Sequence, residues 1–467
     1  MVDFKQYFKN KKITLMGLGL LGRASGDAAF LAECGAKLTV TDLKTKEQLK
    51  ESLKKLRKYK NIKYVLGRHR LEDFRNCDLV LKTASVPLDS IYINEAKKHN
   101  IPVEMSAAIF AQLAGVPIIA VTGTRGKSTV THLIYHILKS AGKKVILGGN
   151  VRGVSNLQLL KKFTPPSSGG ARNAEMAVLE LDSWQLQGFG EAKISPQISV
   201  FTTFFPDHLG YYGSATLTTS KAMKKYFSDK ANIFKHHKKD NALIVGSQAL
   251  PFIKKWQAEN KAKIQSKIIV PKAVLPKGWK FNLPGLHNEY NAELAIEVAR
   301  YLSIPEAKIK KALSTFYPLP GRLQFLRNVR GIKIYNDNSS TTPDATIAAL
   351  RAVGDAKTRK VILIIGGDNK FLDMSQLLLE IPKFCSKVVL FKERGTDLIR
   401  EKVFKLQKTG IDIYEEEGLE NTIKRAFNVA KAGDIILYSP AFSSFGKYFT
   451  NEYNREDRFV KIVKSLK

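Results

Sequence analysis

Between an apolar run at 117–121 (PIIAV) and an apolar helix beyond it lies VTGTRGKST, residues 121–129. A buried strand that breaks into a helix through a glycine-bounded loop restricts the chain to a layered α/β fold, with the loop at the strand's carboxyl end. Gly123 and Gly126 let the backbone turn and approach an anion closely. The following helix points its first N–H groups and positive dipole end at the same spot. Lys127 adds a point charge and Ser128 a hydroxyl suited to Mg²⁺, so the segment reads as a phosphate cradle. The strict nucleotide loop wants a further glycine where Val121 stands. An ordinary glycine-containing turn is the alternative, and Gly-Lys-Ser in this strand–loop–helix context favours the cradle.

At 467 residues the chain exceeds a single core and divides into domains. Residues 13–19 (ITLMGLG), 37–42 (KLTVTD) and 78–83 (DLVLKT) read as strands of a parallel sheet alternating with amphipathic helices. Gly17-x-Gly19-x-x-Gly22 follows the first and Asp42 ends the second, a dinucleotide-type fingerprint with its acidic residue about where a ribose contact falls. With a stronger phosphate site downstream, the pattern points to a nucleotide or nucleotide-sugar over a redox cofactor. Strand-like runs recur at 176–181, 198–204 and 242–245, after a Pro/Ser/Gly-rich surface loop at 164–173. Beyond a linker at 317–322 (YPLPGR) they return at 332–336, 360–366, 387–391 and 434–438. The reading is three α/β domains. A Rossmann-like domain covers 1–105, a central P-loop-type ATPase domain with a mainly parallel sheet covers 106–318, and a second Rossmann-like domain covers 319–467.

The charge balance, 76 Lys and Arg against 42 Asp and Glu for a net +34, raises nucleic-acid binding as a reading. The lysines are scattered over helical faces and loops, without interleaved aromatics or a known reading module. A solvated basic surface that draws anionic nucleotide substrates accounts for the same count, and no nucleic-acid partner is expected. No run approaches the roughly 20 apolar residues of a membrane helix, and MVDFKQYFKNKK lacks a signal-peptide apolar region. A cytoplasmic chain without membrane insertion is expected. Cys34, Cys77 and Cys385 lie far apart with no metal-ligand spacing and imply no disulfide framework.

Polar residues at strand ends of the middle block are candidates for chemistry, because open α/β sheets bind ligands there. Glu180 ends an apolar run and can hold Mg²⁺ against phosphates at Lys127 and Ser128; a strand-end Glu facing water is the equal alternative. Asp207 and His208 follow another strand, and a neutral His can ligate a metal, though a lone His is more often structural. Lys230 falls on a helix and, among 76 cations, means nothing alone.

Order gives these pieces weight. Along the chain stand VTGTRGKST, GGN at 148–150, ELDSWQL, PDHL, YFSDKANIF, LPGLHNEYNA, LPGR, YNDNSSTTPDAT, GGDNK and SPAFSSFGKYF. Together with the N-terminal GLGLLG, this ordered set resembles the Mur ligase family of peptidoglycan synthesis over nearly the whole chain. The resemblance implies one domain for a uridine nucleotide, one for ATP and one bringing an amino acid. It implies an ATP-dependent ligase adding glutamate, taken as the D enantiomer, to UDP-N-acetylmuramoyl-L-alanine through an acyl phosphate. By position, Gly123, Thr124, Gly126, Lys127, Ser128 and Thr129 would bind ATP phosphates, His287 and Asn288 would meet adenine, and Arg322 and Asp337 would meet phosphate and ribose. Lys127, Glu180, His208 and Lys230 would form the catalytic set. Ser128 and Glu180 would serve one Mg²⁺, and His208 and Lys230, the lysine as its carbamate, a second. Gly17, Leu18, Gly19, Gly22, Asp42, Thr83 and Asn150 would hold the UDP substrate, and Thr341, Lys370 and Ser444 the incoming glutamate. A monomer is expected.

The chain departs from the family pattern in several places. Arg125 stands where relatives often have Asn, Asp182 replaces a serine, and Ser339 replaces a lysine. Thr83-Ala84-Ser85-Val86-Pro87 replaces the usual uridine loop. The interval from His208 to Lys230 is long, which leaves Lys221, Lys224 and Lys225 as rivals for the carbamate. A sibling ligase adding L-glutamate or another amino acid to a UDP-muramoyl substrate is the nearest alternative, and GLGLLG argues against a folate-type ligase. A nucleic-acid-dependent ATPase and a dehydrogenase are the readings from other classes.

Overall fold

The computed structural model describes residues 3–163, 174–212, 219–272 and 274–467; the loop read at 164–173 lies outside the described residues. The chain lays down three sheets in succession. The first contains β1 (Lys12–Met16), β2 (Lys37–Asp42), β3 (Ile62–Leu66), β4 (Leu79–Lys82) and β5 (Val103–Glu104). All its pairs are parallel, in the order β3-β2-β1-β4-β5. The second contains β6 (Ile118–Thr122), β7 (Val145–Gly149), β8 (Met176–Glu180), β9 (Ile198–Phe201), β10 (Ala242–Val245) and β11 (Lys267–Ile269). Again every pair is parallel, ordered β11-β10-β9-β6-β8-β7. The third contains β12 (Gln324–Val329), β13 (Ile332–Asn336), β14 (Val361–Ile365), β15 (Cys385–Phe391), β16 (Asp412–Glu416) and β17 (Ile435–Tyr438). Its order is β12-β13-β17-β14-β15-β16, with β12 antiparallel to β13 and the other pairs parallel.

Helices cover both faces of such sheets, so an inner strand must be apolar on both sides. β6 (IIAVT) and β14 (VILII) are buried at every position. The helix Lys127–Ser140 shows how the covering layer is built. Val130, Leu133, Ile134, Ile137 and Leu138 recur at the i, i+3, i+4, i+7, i+8 spacing of one helical face, and all are at most 1% exposed. Burying each of these side chains is worth ~1.5–3 kcal/mol before the entropy of ordering it. Gly126, in the left-handed region, opens this helix, and Gly142, also at positive φ, follows its end. The helix Leu286–Tyr301 packs alongside it over the same sheet.

The first and second sheets share a contiguous apolar core. Asp27, buried on the helix Arg23–Glu33, fixes their join by accepting from Ser155 Oγ (2.6 Å) and Leu157 N (3.1 Å). Among the described residues no helix is long and apolar enough to cross a membrane.

Candidate active site

In each sheet the candidate residues stand at the carboxyl ends of adjacent strands. The neighbours β9, β6 and β8 lead respectively to Asp207 and His208, to the phosphate loop, and to Glu180. The neighbours β13, β17 and β14 lead to Asp337 and Thr341, to Ser444, and to Lys370. In the first sheet, β1 and β4 flank the point where strand order reverses, where open sheets bind ligands, and lead to the Gly17–Gly22 loop and to Thr83. All three sets meet in a single cavity of ≈ 1140 Å³, large for a small-molecule pocket and roomy enough for more than one substrate. Leu18, Gly19, Thr83, Thr124, Gly126, Lys127, Ser128, Thr129, Asn150, Glu180, His208, His287, Asn288, Arg322, Asp337, Thr341, Lys370 and Ser444 line it. Gly17, Gly22, Asp42, Gly123 and Lys230 do not.

The residues behind the wall have visible work of their own. Asp42 Oδ2 accepts from the amides of Leu18 (2.8 Å) and Gly19 (3.0 Å), and its Oδ1 from Lys44 N (2.9 Å). The glycine loop thus wraps an anion supplied by the chain itself, which removes two amides that a dinucleotide pyrophosphate would need. Gly17 is a glycine for lack of room: a Cβ there would stand 2.4 Å from Thr83 Oγ1. Lys230 is 1% exposed and donates to Gly123 O (2.8 Å), directly under the phosphate loop. Its rivals Lys221, Lys224 and Lys225 are exposed, with Lys224 paired to Glu259. Burial pushes the Lys230 ammonium well below its ordinary pKa, and nearby Lys127 adds to the depression.

At the loop, Lys127 Nζ donates to Gly123 O (3.0 Å) and Thr124 O (3.1 Å), and burial lowers its pKa against the pull of Glu180. Arg322, from beyond the second sheet, donates to Ser128 Oγ (3.0 Å). Asp337 accepts from Leu323 N (2.9 Å), Ser439 Oγ (2.9 Å) and Ser340 Oγ, and burial raises its pKa to about 6. Any ribose contact by Asp337 therefore competes with bonds that shape the strand end. His287 and Asn288 open the helix Leu286–Tyr301, and burial keeps His287 neutral with a pKa of about 4. Asp182, in place of the family serine, is the N-cap of Ser183–Glu191 and forms a capping box with Gln185 (2.7 Å). Ser and Asp are interchangeable caps, which accounts for that departure.

His208, at φ 55°, lies edge-on to Trp184 and Tyr226, and burial pushes its pKa down to about 4. The neutral ring keeps a lone pair for a metal. Glu180 is 4% exposed, and among the described residues no group donates to its carboxylate. Among those residues no three His, Cys, Asp or Glu side chains form a closed metal site. Mg²⁺ is usually held by one or two carboxylates together with phosphate oxygens and water, and the sparse set Ser128, Glu180 and His208 fits that habit.

Lys370 donates to Thr341 Oγ1 (3.1 Å) and pairs with Asp207 Oδ1 (3.1 Å), so third-sheet and second-sheet residues already touch. Burial would raise the pKa of Asp207, but Lys370 and Arg125 outweigh it and hold the carboxyl well below the usual range. The cavity also recruits residues that sequence reasoning missed. Arg23 Nη1 donates to Asn150 Oδ1, joining the first sheet to the second, and Tyr453 and Asp344 reach in from the third. Two signals were available: Arg23 directly follows the Gly17–Gly22 loop, and Asp344 lies within the YNDNSSTTPDAT run.

Comparison with known proteins agrees with this geometry. Residues 121–269 match the Mur ligase middle domain, and residues 321–442 match the Mur ligase glutamate ligase domain. The chain is 32% identical to a UDP-N-acetylmuramoylalanine–D-glutamate ligase of Roseiflexus sp., covering 98% of this chain and 99% of the relative. It is 33% identical to the enzyme of the same name from Borreliella afzelii, covering 98% of each. In fold it is similar to the solved UDP-N-acetylmuramate–alanine ligase of Thermotoga maritima, with TM-score 0.60, 20% identity, and 98% and 100% of the two chains covered. With three sheets converging on one phosphate-loop cavity and full-length relatives above 30% identity, the chain belongs to the Mur ligase family of ATP-dependent, amide-forming ligases.

Proposed function

We propose that this protein joins glutamate, as the D enantiomer, to the terminal carboxylate of UDP-N-acetylmuramoyl-L-alanine, with release of ADP and phosphate. The observation that carries the reading is the single cavity into which all three sheets deliver strand ends, combined with full-length likeness to ligases of that name. The regions 1–105, 106–318 and 319–467 serve as the uridine-nucleotide, ATP and amino-acid domains. The protein acts as a cytoplasmic monomer without a nucleic-acid partner.

A carboxylate is a poor acyl donor, so the alanyl carboxylate is first phosphorylated by ATP, and the glutamate amine then displaces phosphate from the acyl phosphate to leave an amide. Lys127, together with the loop amides and the helix end behind them, counters negative charge as the phosphoryl group moves. Arg322 reaches the same point from the third sheet, so its contribution depends on closure. Two Mg²⁺ ions, one at Ser128 and Glu180 and one at His208 and Lys230, would supply further charge neutralisation when bound. Carbon dioxide adds only to a neutral amine, and the depressed pKa of Lys230 supports its carriage of a carbamate. Asn150, Thr83 and Leu18–Gly19 are assigned to the UDP substrate, His287 and Asn288 to adenine, and Thr341, Lys370 and Ser444 to glutamate.

The test is product mass. Incubation with ATP, Mg²⁺, UDP-N-acetylmuramoyl-L-alanine and D-glutamate should add one glutamyl residue to the UDP substrate, and an unchanged substrate mass contradicts the proposal.

A further inference from the structure

Arg125 lies inside the phosphate loop, and its side chain, whose Nη1 also donates to the loop's own Thr124 O (3.3 Å), reaches out to carboxylates of two sheets. Nη1 pairs with Asp207 Oδ2 (3.0 Å), beyond β9, and Nε pairs with Asp344 Oδ2 (2.9 Å), on the third-sheet helix Pro343–Val353. Nη2 donates to Thr342 Oγ1, the cap residue of that helix. The Arg125 backbone is clamped as well. Its N–H donates to Thr203 Oγ1 (2.9 Å) and its carbonyl accepts from the hydroxyls of Thr202 and Thr203. Loop position and side-chain direction are therefore fixed together. A guanidinium suits this bridge because its planar fork meets several acceptors at set angles, which an ammonium or a neutral amide cannot do.

Asp207 carries the consequence further, since its second oxygen pairs with Lys370, which also holds Thr341. A continuous chain of contacts runs Asp344–Arg125–Asp207–Lys370–Thr341, leaving the third sheet, crossing the phosphate loop and returning to the third sheet at the amino-acid position. The Asp207 side chain is 5% exposed and that of Arg125 23%, so this link is screened less than a surface ion pair.

We propose that Arg125 is a positioning residue that latches the amino-acid domain onto the phosphate loop, so that the acyl phosphate is protected from water and glutamate is seated in the same closed state. The inference rests on the ligase reading above. Without the latch the closed state is populated less. Water then attacks the acyl phosphate, returning the carboxylate and free phosphate with no amide formed.

The experiment measures phosphate and amide together for the full-length wild type, R125Q, R125K, D344N and R125Q/D344N. The wild type should release one phosphate per amide. In R125Q the ratio should rise at least threefold and the glutamate KM about tenfold, with the ATP KM within twofold. D344N should show the same split more weakly, R125K should fall between R125Q and the wild type, and the double variant should be no worse than R125Q. Should R125Q fail to fold, D344N and T342V carry the same test from the opposite side of the bridge. A ratio of one with unchanged glutamate KM in R125Q, or in D344N and T342V, overturns the latch. So does an R125Q defect confined to ATP binding with D344N silent. A wild type that forms no amide overturns the ligase reading itself, which is a different outcome from an active wild type with silent variants.

Discussion

Replacing Gly126 by alanine adds one methyl group where the phosphate loop enters its helix, and the consequence can be worked out from geometry. Gly126 has φ +84°, and an L residue in that region costs ~1–2 kcal/mol. The new Cβ would stand 2.3 Å from Asn291 Oδ1, closer than any real contact, so Asn291 must move. Asn291 is 5% exposed and donates to Asn288 Oδ1 (3.5 Å), and disturbing a buried polar partner costs ~1–3 kcal/mol. The G126A variant should therefore lose about 2–5 kcal/mol in all. Gly142 offers an internal control, because its φ is +86° and nothing lies within 4 Å of an added Cβ. Far-UV circular dichroism in urea, read beside ATP titrations, should show G126A less stable than G142A by ~1–3 kcal/mol. With His287 and Asn288 assigned to adenine as proposed, only G126A should weaken ATP, since only there does the helix that carries them shift. N291A in the G126A background should recover the steric part. Equal losses for the two alanines, with ATP binding unaffected in both, would refute the packing argument.

Other substitutions separate chemistry from structure. K230M removes a hydrogen bond to Gly123 O, a carbonyl that Lys127 still serves at 3.0 Å, so stability should move by no more than ~1 kcal/mol. On the proposed carbamate role, turnover should nevertheless fall ~10–100-fold, and short carboxylates should partly restore K230A; full activity in either variant would exclude the carbamate. D182S should unfold within a few tenths of a kcal/mol of the wild type, whereas D182A should lose ~1 kcal/mol; equal midpoints would show that the cap contributes nothing. His237, 5% exposed between Ser199 and Ser266, has a folded pKa of about 4, pushed down by burial from an ordinary 6.5. Between those values the unfolded chain holds the extra proton, so the contribution is complete above pH 6.5 and is lost as pH falls toward 4. H237Q should flatten the acid limb of stability against pH by about 1.4 kcal/mol per pH unit in that window, and an unaltered slope would contradict the burial argument.

The inner strands were legible in the sequence and the edge strands were not. β1, β2, β4, β6, β8, β9, β10, β13, β14, β15 and β17 correspond to apolar runs read directly, because both faces of an inner strand are covered. The strands that escaped, β3, β5, β7, β11, β12 and β16, are the two edges of each sheet. Half-solvated patterns such as IKYVL in β3 and DIYEE in β16 carry polar residues that resemble loop, and β5 has only two residues. The same division holds in the cavity. Lys127, Glu180, His208 and Lys370 sit at strand ends, which local pattern locates, and most of the named residues do line the cavity. The Arg125–Asp344 bridge spans 219 positions of sequence, and Arg23–Asn150 spans 127. Such contacts depend on how sheets meet, and no local pattern encodes that. Asp42 shows what spacing leaves out, since its carboxylate also accepts from the amides of Leu18 and Gly19 and so shapes the glycine loop.

The central claim is tested most directly by phosphate release from ATP and Mg²⁺ with purified protein, UDP-N-acetylmuramoyl-L-alanine and each glutamate enantiomer in turn. Sustained release, matched by amide, is expected only when the UDP substrate and D-glutamate are both present. Release with neither enantiomer, or turnover that requires a nucleic acid instead, would contradict it.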